Sequence, residues 1–200
     1  RRIKTLSRIF ELTTELLHVE DMAAFHKRIA ETVKHQFGFG RVSISIADPA
    51  QGIFTDHAMA GYSPEEEKQI RAAISAFEFD EILKDFREDC RISKIAYYIP
   101  AEKQESQVED FVGVRDASAA MKARATPESW HDLDLLYFAL FDRRGNMIGY
   151  MQVDYPVDNR IPTRQTIEEI ELFAAIAGVG LENATMYKRS LMLLQENEVK

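Results

Sequence analysis

The segment from Asp134 to Gln195 limits the possible folds more than any other part of the chain. Asp134-Leu-Leu-Tyr-Phe-Ala-Leu-Phe141 and Met147-Ile-Gly-Tyr-Met-Gln-Val-Asp154 are apolar runs on either side of a turn at Asp142-Arg-Arg-Gly-Asn146. This arrangement predicts a hairpin of two buried strands. A proline-bounded elbow, Tyr155 to Pro162, leads into a long helix. There Ile167, Ile170, Phe173, Ala174, Ala177, Leu181 and Ala184 recur at helical spacing, so one face packs on the sheet.

Upstream, Ile3, Leu6, Phe10, Thr13 and Leu17 form a short heptad-like seam. Asp21 caps a second amphipathic helix (Met22, Phe25, Ile29, Val33, Phe37) that Gly38 closes. Arg41 to Ala47 alternates as a strand, Asp48 to Gly52 turns, and Ile53 to Ala60 returns. Ser63-Pro-Glu-Glu66 carries a capping box with proline at the first helical position. A short helix from Phe79 to Glu88 and a strand from Ser93 to Ile99 follow. Periodicity dissolves between residues 101 and 132, predicting a mobile insertion with at most a helical turn around Ala117 to Ala125. Hairpins near both ends predict an α+β fold with an antiparallel sheet.

The chemistry is narrowed mainly by what is missing. A net charge of −8 argues against a nucleic-acid partner, which needs a clustered positive surface. A single cysteine, Cys90, excludes an internal disulfide and fits a reducing, cytoplasmic setting. No apolar run reaches the roughly 18 residues of a membrane span, so no membrane contact is expected within this fragment. The N-terminus lacks a signal-peptide core and an initiator Met, and reads as a fragment boundary. His18, His26 and His35 fall on different sides of a helix at roughly 100° per residue, which disfavours a metal cluster. No phosphate-cradling glycine loop, nucleophile elbow or other catalytic constellation appears, so an enzyme is not expected.

Gly149-Tyr-Met-Gln-Val-Asp-Tyr-Pro156, Pro162-Thr163, Glu171-Leu-Phe-Ala174 and Leu181-Glu-Asn-Ala184 resemble the C-terminal half of a GAF domain. Phe37-Gly-Phe-Gly-Arg-Val42 and Tyr97-Tyr-Ile-Pro100 are similar to earlier strands of the same fold, and the resemblance spans about residues 5 to 187. It implies a central antiparallel sheet of about five to six strands. Terminal helices would cover one face, and shorter helices and loops would form a ligand cup on the other. On that scheme residues 1–18 are a signalling and dimerisation helix, 19–187 the domain, and 188–200 an extension toward a following domain.

The subtypes of that family leave a ligand unspecified, and no cofactor is named. Cys90 lacks the histidine that follows chromophore-attaching cysteines and reads as a structural thiol. One cysteine does not suffice for a free-methionine sulfoxide reductase. Phe77-Glu-Phe-Asp-Glu81 only partly resembles a cyclic-nucleotide motif and reads as a helix start. An aromatic group remains: Tyr97, Tyr98, Trp130, His131, Tyr137, Phe138, Phe79 and Phe86 are the candidates to line the cup, with Phe54 and Met59 nearby. The same rings could instead simply fill the core.

The expected role is a non-catalytic sensory or regulatory domain binding an unknown small molecule. Its output would be a histidine kinase or cyclic-dinucleotide enzyme. The alternative is a ligand-free dimerisation module with a packed core. A homodimer is expected through a seam of Leu6, Phe10, Leu17, Ala177, Leu181, Ala184 and Leu191.

Overall fold

The computed structural model describes residues 7–9, 11–12, 14, 21–48, 51–74, 79–103 and 122–198. Its elements are α1 (Met22–Phe37), β1 (Phe39–Asp48), β2 (Ile53–Ala60), α2 (Pro64–Ile74), α3 (Phe79–Leu83), β3 (Ala96–Ile99), β4 (Leu135–Phe141), β5 (Met147–Pro156) and α4 (Arg164–Glu198). The strands form one sheet in the order β2-β1-β5-β4-β3, with every neighbouring pair antiparallel. The architecture is the α+β sandwich expected from the hairpins.

Local signals act where the residues place them. Asp21 accepts a hydrogen bond from the Ala24 amide at 3.1 Å, and Gly38, at φ 73°, closes α1 with its N–H on the Lys34 carbonyl. The capping box of α2 is reciprocal: the Ser63 amide donates to Glu66 at 2.7 Å and the Glu66 amide to Ser63 Oγ at 3.3 Å. In the β4–β5 turn, Asp142 Oδ1 accepts from the Arg144 and Asn146 amides at 2.8 Å each, with Gly145 at φ 83°. The helix expected over Phe79 to Glu88 is shorter. It ends at Leu83, and the Asp85 and Phe86 amides turn back onto the Ile82 and Leu83 carbonyls. That exit swings the Phe86 ring onto the sheet.

Alternation along the strands sorts side chains to two faces. Val42, Ile44, Leu136, Phe138, Leu140, Met151 and Val153 face α1 and α4 and form the main core with Phe25, Ile29, Val33, Ile170 and Phe173. Leu12, among the described helical residues near the N-terminus, joins this core.

The small residues of α4 serve this packing. Ala174 and Ala177 are 0% exposed, and a Cβ on Gly180 would stand 3.0 Å from the Phe25 ring. His26 Nε2 donates to the Ala177 carbonyl at 3.0 Å, and Glu171 accepts from the Ile95 amide at 2.9 Å, tying α4 to α1 and to the approach of β3. Ala177 therefore faces its own domain and does not lie on an external seam, because the inward stripe of α4 is needed to cover the sheet. Leu181 and Ala184 are half-buried, and Leu191 lies in α4 with a side chain outside the description. Leu6, Phe10 and Leu17 fall outside the described residues.

Candidate ligand-binding face

The sheet face turned away from α1 and α4 carries the other half of each strand. The register sets Tyr97 opposite Tyr137, and Tyr150 opposite both Ala139 and Ser45. Phe54 comes from β2 and Phe86 from the turn after α3. Together these five rings form a continuous layer. Phe86 stands 5.1 Å from Tyr97, 5.4 Å from Tyr137 and 5.7 Å from Tyr150, and Tyr150 stands 5.4 Å from Tyr137 and 5.2 Å from Phe54. Several pairs are edge-to-face, the arrangement that the ring quadrupole favours. Phe54, Tyr97 and Tyr150 are buried, whereas Phe86 and Tyr137 keep an accessible surface.

Asp85 directly precedes Phe86 in the turn after α3. Burial pushes its carboxyl above the usual range, opposed by Arg87 and by a hydrogen bond from Tyr137. Beyond β4 the floor turns polar: Ser43 pairs with Gln152, and Arg41 with Asp154. Cys90 is buried beside Ile99 and Leu135, with Tyr137 packed on them.

Four of the expected cup residues are elsewhere. Tyr98 and Phe138 occupy the helix-facing positions of β3 and β4, and Trp130 packs into the same main core, 6.2 Å from Tyr98. Strand alternation forces this result, because Tyr97 and Tyr98, like Tyr137 and Phe138, cannot share a face. His131 is buried where the insertion rejoins the sheet, its Nε2 2.8 Å from the Lys122 carbonyl and its Nδ1 accepting from the Leu133 amide at 3.1 Å. That pair of contacts selects the neutral tautomer with hydrogen on Nε2. Phe79 opens α3, and its side chain lies outside the description. Sequence reasoning passed over Tyr150 and Asp85. Alternation of Tyr150, Gln152 and Asp154 along β5 was the available signal for the first.

Sequence reasoning also missed the clasp at the neck of the insertion. Arg124 uses all five N–H donors. Nε and Nη2 reach Glu102 at 2.8 Å each, Nη1 reaches the Ser129 carbonyl at 2.6 Å, and Nη1 and Nη2 reach Asp134 at 2.8 and 2.6 Å. Asp134, 0% exposed, also accepts from the Tyr98 hydroxyl at 2.8 Å and from the Ala101 and His131 amides at 2.9 Å. Burial and the bond to Asp134 push the Tyr98 hydroxyl far up, and Arg124 pulls the Glu102 carboxyl down to about 2. A guanidinium with every donor engaged has none to offer a ligand, so this cluster fastens the chain. Residues 101–103 and 122–134 are thus joined at the base of the insertion, whose middle, 104–121, lies outside the described residues.

Among the described residues, no group of three His, Cys, Asp or Glu is placed to hold a metal ion, and no helix is long and apolar enough to cross a membrane.

No protein-family model matches the sequence, and no curated protein is significantly similar to it. Solved structures do match. The GAF domain of an Acinetobacter phosphoenolpyruvate-protein phosphotransferase superposes with a TM-score of 0.60 at 14% identity, covering 92% of this chain and 95% of that one. The GAF domain of a putative sensor histidine kinase from Pseudomonas syringae pv. tomato gives 0.58 at 14% identity, covering 96% and 94%. Residues 122 to 287 of a methyl-accepting chemotaxis protein give 0.56 at 18% identity, covering 90% and 99%. Near-complete coverage in both directions, together with the antiparallel five-stranded sheet and its terminal helices, establishes that this chain has a GAF-like fold.

Proposed function

We propose that this chain is a non-catalytic sensory domain that binds a small molecule on the aromatic face of its sheet and passes the bound state along α4. The observation that carries the reading is the five-ring layer, in which Phe86 and Tyr137 remain accessible. Small-molecule sites are usually lined by aromatic and apolar side chains with a few polar groups. A histidine kinase or cyclic-dinucleotide enzyme is the class of output proposed, in a cytoplasmic signalling protein, and solved neighbours include a domain from a putative sensor histidine kinase.

The helix supports the transmitting half of the proposal. α4 runs 35 residues, and its last described side-chain contacts with the body of the domain are those of Arg143 with Glu182 and Asn183. At 1.5 Å per residue, the remainder projects roughly 20 Å. Leu172, Val179 and Met186, exposed at 47, 47 and 45%, stand seven residues apart on its outer side. Their seven-residue spacing makes an outer stripe suited to a second copy of the chain. The dimer is therefore proposed through this outer stripe, rotated away from the inward-facing Ala177.

The close ring contacts also favour a second reading, a dimerising scaffold whose rings only pack one another. Native mass spectrometry of protein isolated from its own host separates the two. A dimer retaining a small-molecule mass is expected; a ligand-free dimer establishes the scaffold, and a bare monomer overturns both.

A further inference from the structure

We infer that the neck of the insertion is a proton-sensitive latch on the start of α4: the neutral ring of His131 holds it closed, and protonation of that ring releases it. The inference does not depend on a ligand at the aromatic face and shares with that reading only α4 as the output.

His131 is 7% exposed and tied on both sides. Its Nε2 donates to the Lys122 carbonyl at 2.8 Å, and its Nδ1 accepts from the Leu133 amide at 3.1 Å. The second bond closes the turn that feeds β4, where the His131 amide donates to Asp134 at 2.9 Å and the Asp134 amide to the His131 carbonyl at 2.8 Å. Nδ1 accepts only while it carries no proton. An imidazolium would set two N–H groups against each other in a buried place. Asp134 already accepts five hydrogen bonds, more than the roughly four lone-pair sites of a carboxylate, so the new proton finds no partner there. The other charged groups are engaged or exposed. Arg124 pairs with Asp134 and Glu102, Lys122 with Asp132 at 3.4 Å, and Glu128, Asp158 and Arg160 face solvent. Histidine ordinarily changes charge between about pH 5 and 8. The closed neck takes only the neutral ring, so it is held at higher pH and given up as pH falls.

Backbone joins this neck to the helix. The Trp130 amide donates to the Asn159 carbonyl at 3.0 Å and the Ile161 amide to the Glu128 carbonyl at 2.9 Å, with Ser129 opposite Arg160. This short antiparallel ladder sets residues 128–130, beside His131, against 159–161, just before α4 opens at Arg164. Trp130, the only tryptophan, lies on the ladder at 4% exposure. Its indole N–H is buried with no acceptor among the described residues and gains water when the neck opens.

The test is a titration of the intact chain from about pH 8 to 5, read by Trp130 emission and by amide hydrogen exchange corrected for intrinsic rates. Wild type is expected to show a red-shifted emission maximum and exchange at least about tenfold faster across 128–134 and 159–164, with circular dichroism unchanged. His131→Asn keeps an oxygen that accepts from the amide two residues on, as in an Asx turn, and cannot gain a proton. It is expected to hold emission and exchange constant over the same range. A flat wild-type titration overturns the inference, and so does an equal response in His131→Asn, which assigns the change to another group. Dimmer emission with no red shift and no faster exchange shows only quenching by the charged ring and overturns it too. Faster exchange confined to 128–134 removes the link to α4. Should the variant fail to fold, nuclear magnetic resonance of the wild-type His131 ring decides: its titration must coincide with the change in exchange, and a ring that titrates while the neck stays protected overturns the latch. Each of these failures leaves the ligand-binding reading standing.

Discussion

At Asp134 a fully buried carboxylate accepts five hydrogen bonds, two of them from an arginine that is itself 12% exposed. Breaking such a pair by removing one partner leaves an uncompensated buried charge. Arg124→Met is therefore expected to lower unfolding stability by about 3 kcal/mol or more, read by chemical denaturation. Glu102 completes the same cluster from an exposed position, and its folded pKa of about 2 lies below the ordinary carboxylate value. A depressed folded pKa contributes stability that is present above the unfolded pKa and lost as pH falls toward the folded one. The Glu102 contribution should therefore fade between about pH 4.5 and 2. Solvent screening at a 58% exposed side chain limits it to about 1 kcal/mol. Glu102→Gln should flatten that part of the stability–pH curve, and an unchanged curve would show that the pair contributes nothing. None of this was legible beforehand: Glu102, Arg124 and Asp134 lie 10 to 32 residues apart with no motif linking them.

Helix α4 has two apolar stripes, and only one was readable as to its use. Periodicity revealed the inward one correctly, through Ile167, Ile170, Phe173 and Ala174. Extending it to Ala177, Leu181 and Ala184 as a dimer seam overlooked that the domain consumes the face at Ala177. A carboxylate at Ala177, 0% exposed beside the Phe25–His26 layer, should abolish cooperative folding. Val179→Glu with Met186→Glu, both on the outer side, should leave the thermal midpoint of the domain near wild type at matched low concentration. The same pair should convert a dimer into a monomer in sedimentation equilibrium at tens of micromolar. A wild-type monomer at that concentration would remove the outer stripe from the proposal. Gly149 constrains the element beneath, since a Cβ there would stand 2.4 Å from the Ser45 carbonyl oxygen. The backbone must shift to admit alanine, which should cost about 1–3 kcal/mol.

On the scale of the whole molecule, β5 holds the sheet together. It lies between β1 and β4, so the first hairpin and the β3–β4 pair meet only through it. Isolated two-stranded ribbons are marginal in water. A fragment ending at Gly145 is therefore expected to show no cooperative unfolding by circular dichroism; a cooperative transition would mean that the N-terminal half folds alone. Because the β1–β5 contact joins residues more than 100 apart, such as Val42 and Val153, folding should be slow relative to a helical bundle of similar size.

The sequence by itself determined whatever depends on neighbours along the chain: the caps at Asp21 and Ser63, the turn at Asp142, the alternating strands, the amphipathic helices and the antiparallel class. It also held the aromatic inventory, including the rings of Tyr97, Tyr137 and Phe86. Only the tertiary structure decided which rings share a face. A strand turns successive residues to opposite sides, and the covered side depends on where α1 and α4 land. That placement sent Tyr98, Phe138 and Trp130 into the core and brought Tyr150 and Phe86 together in the aromatic layer. The Arg124 clasp and the outer stripe of α4 were settled in the same way. Each depends on which groups are left without water or without cover once distant segments meet, and no local pattern encodes that.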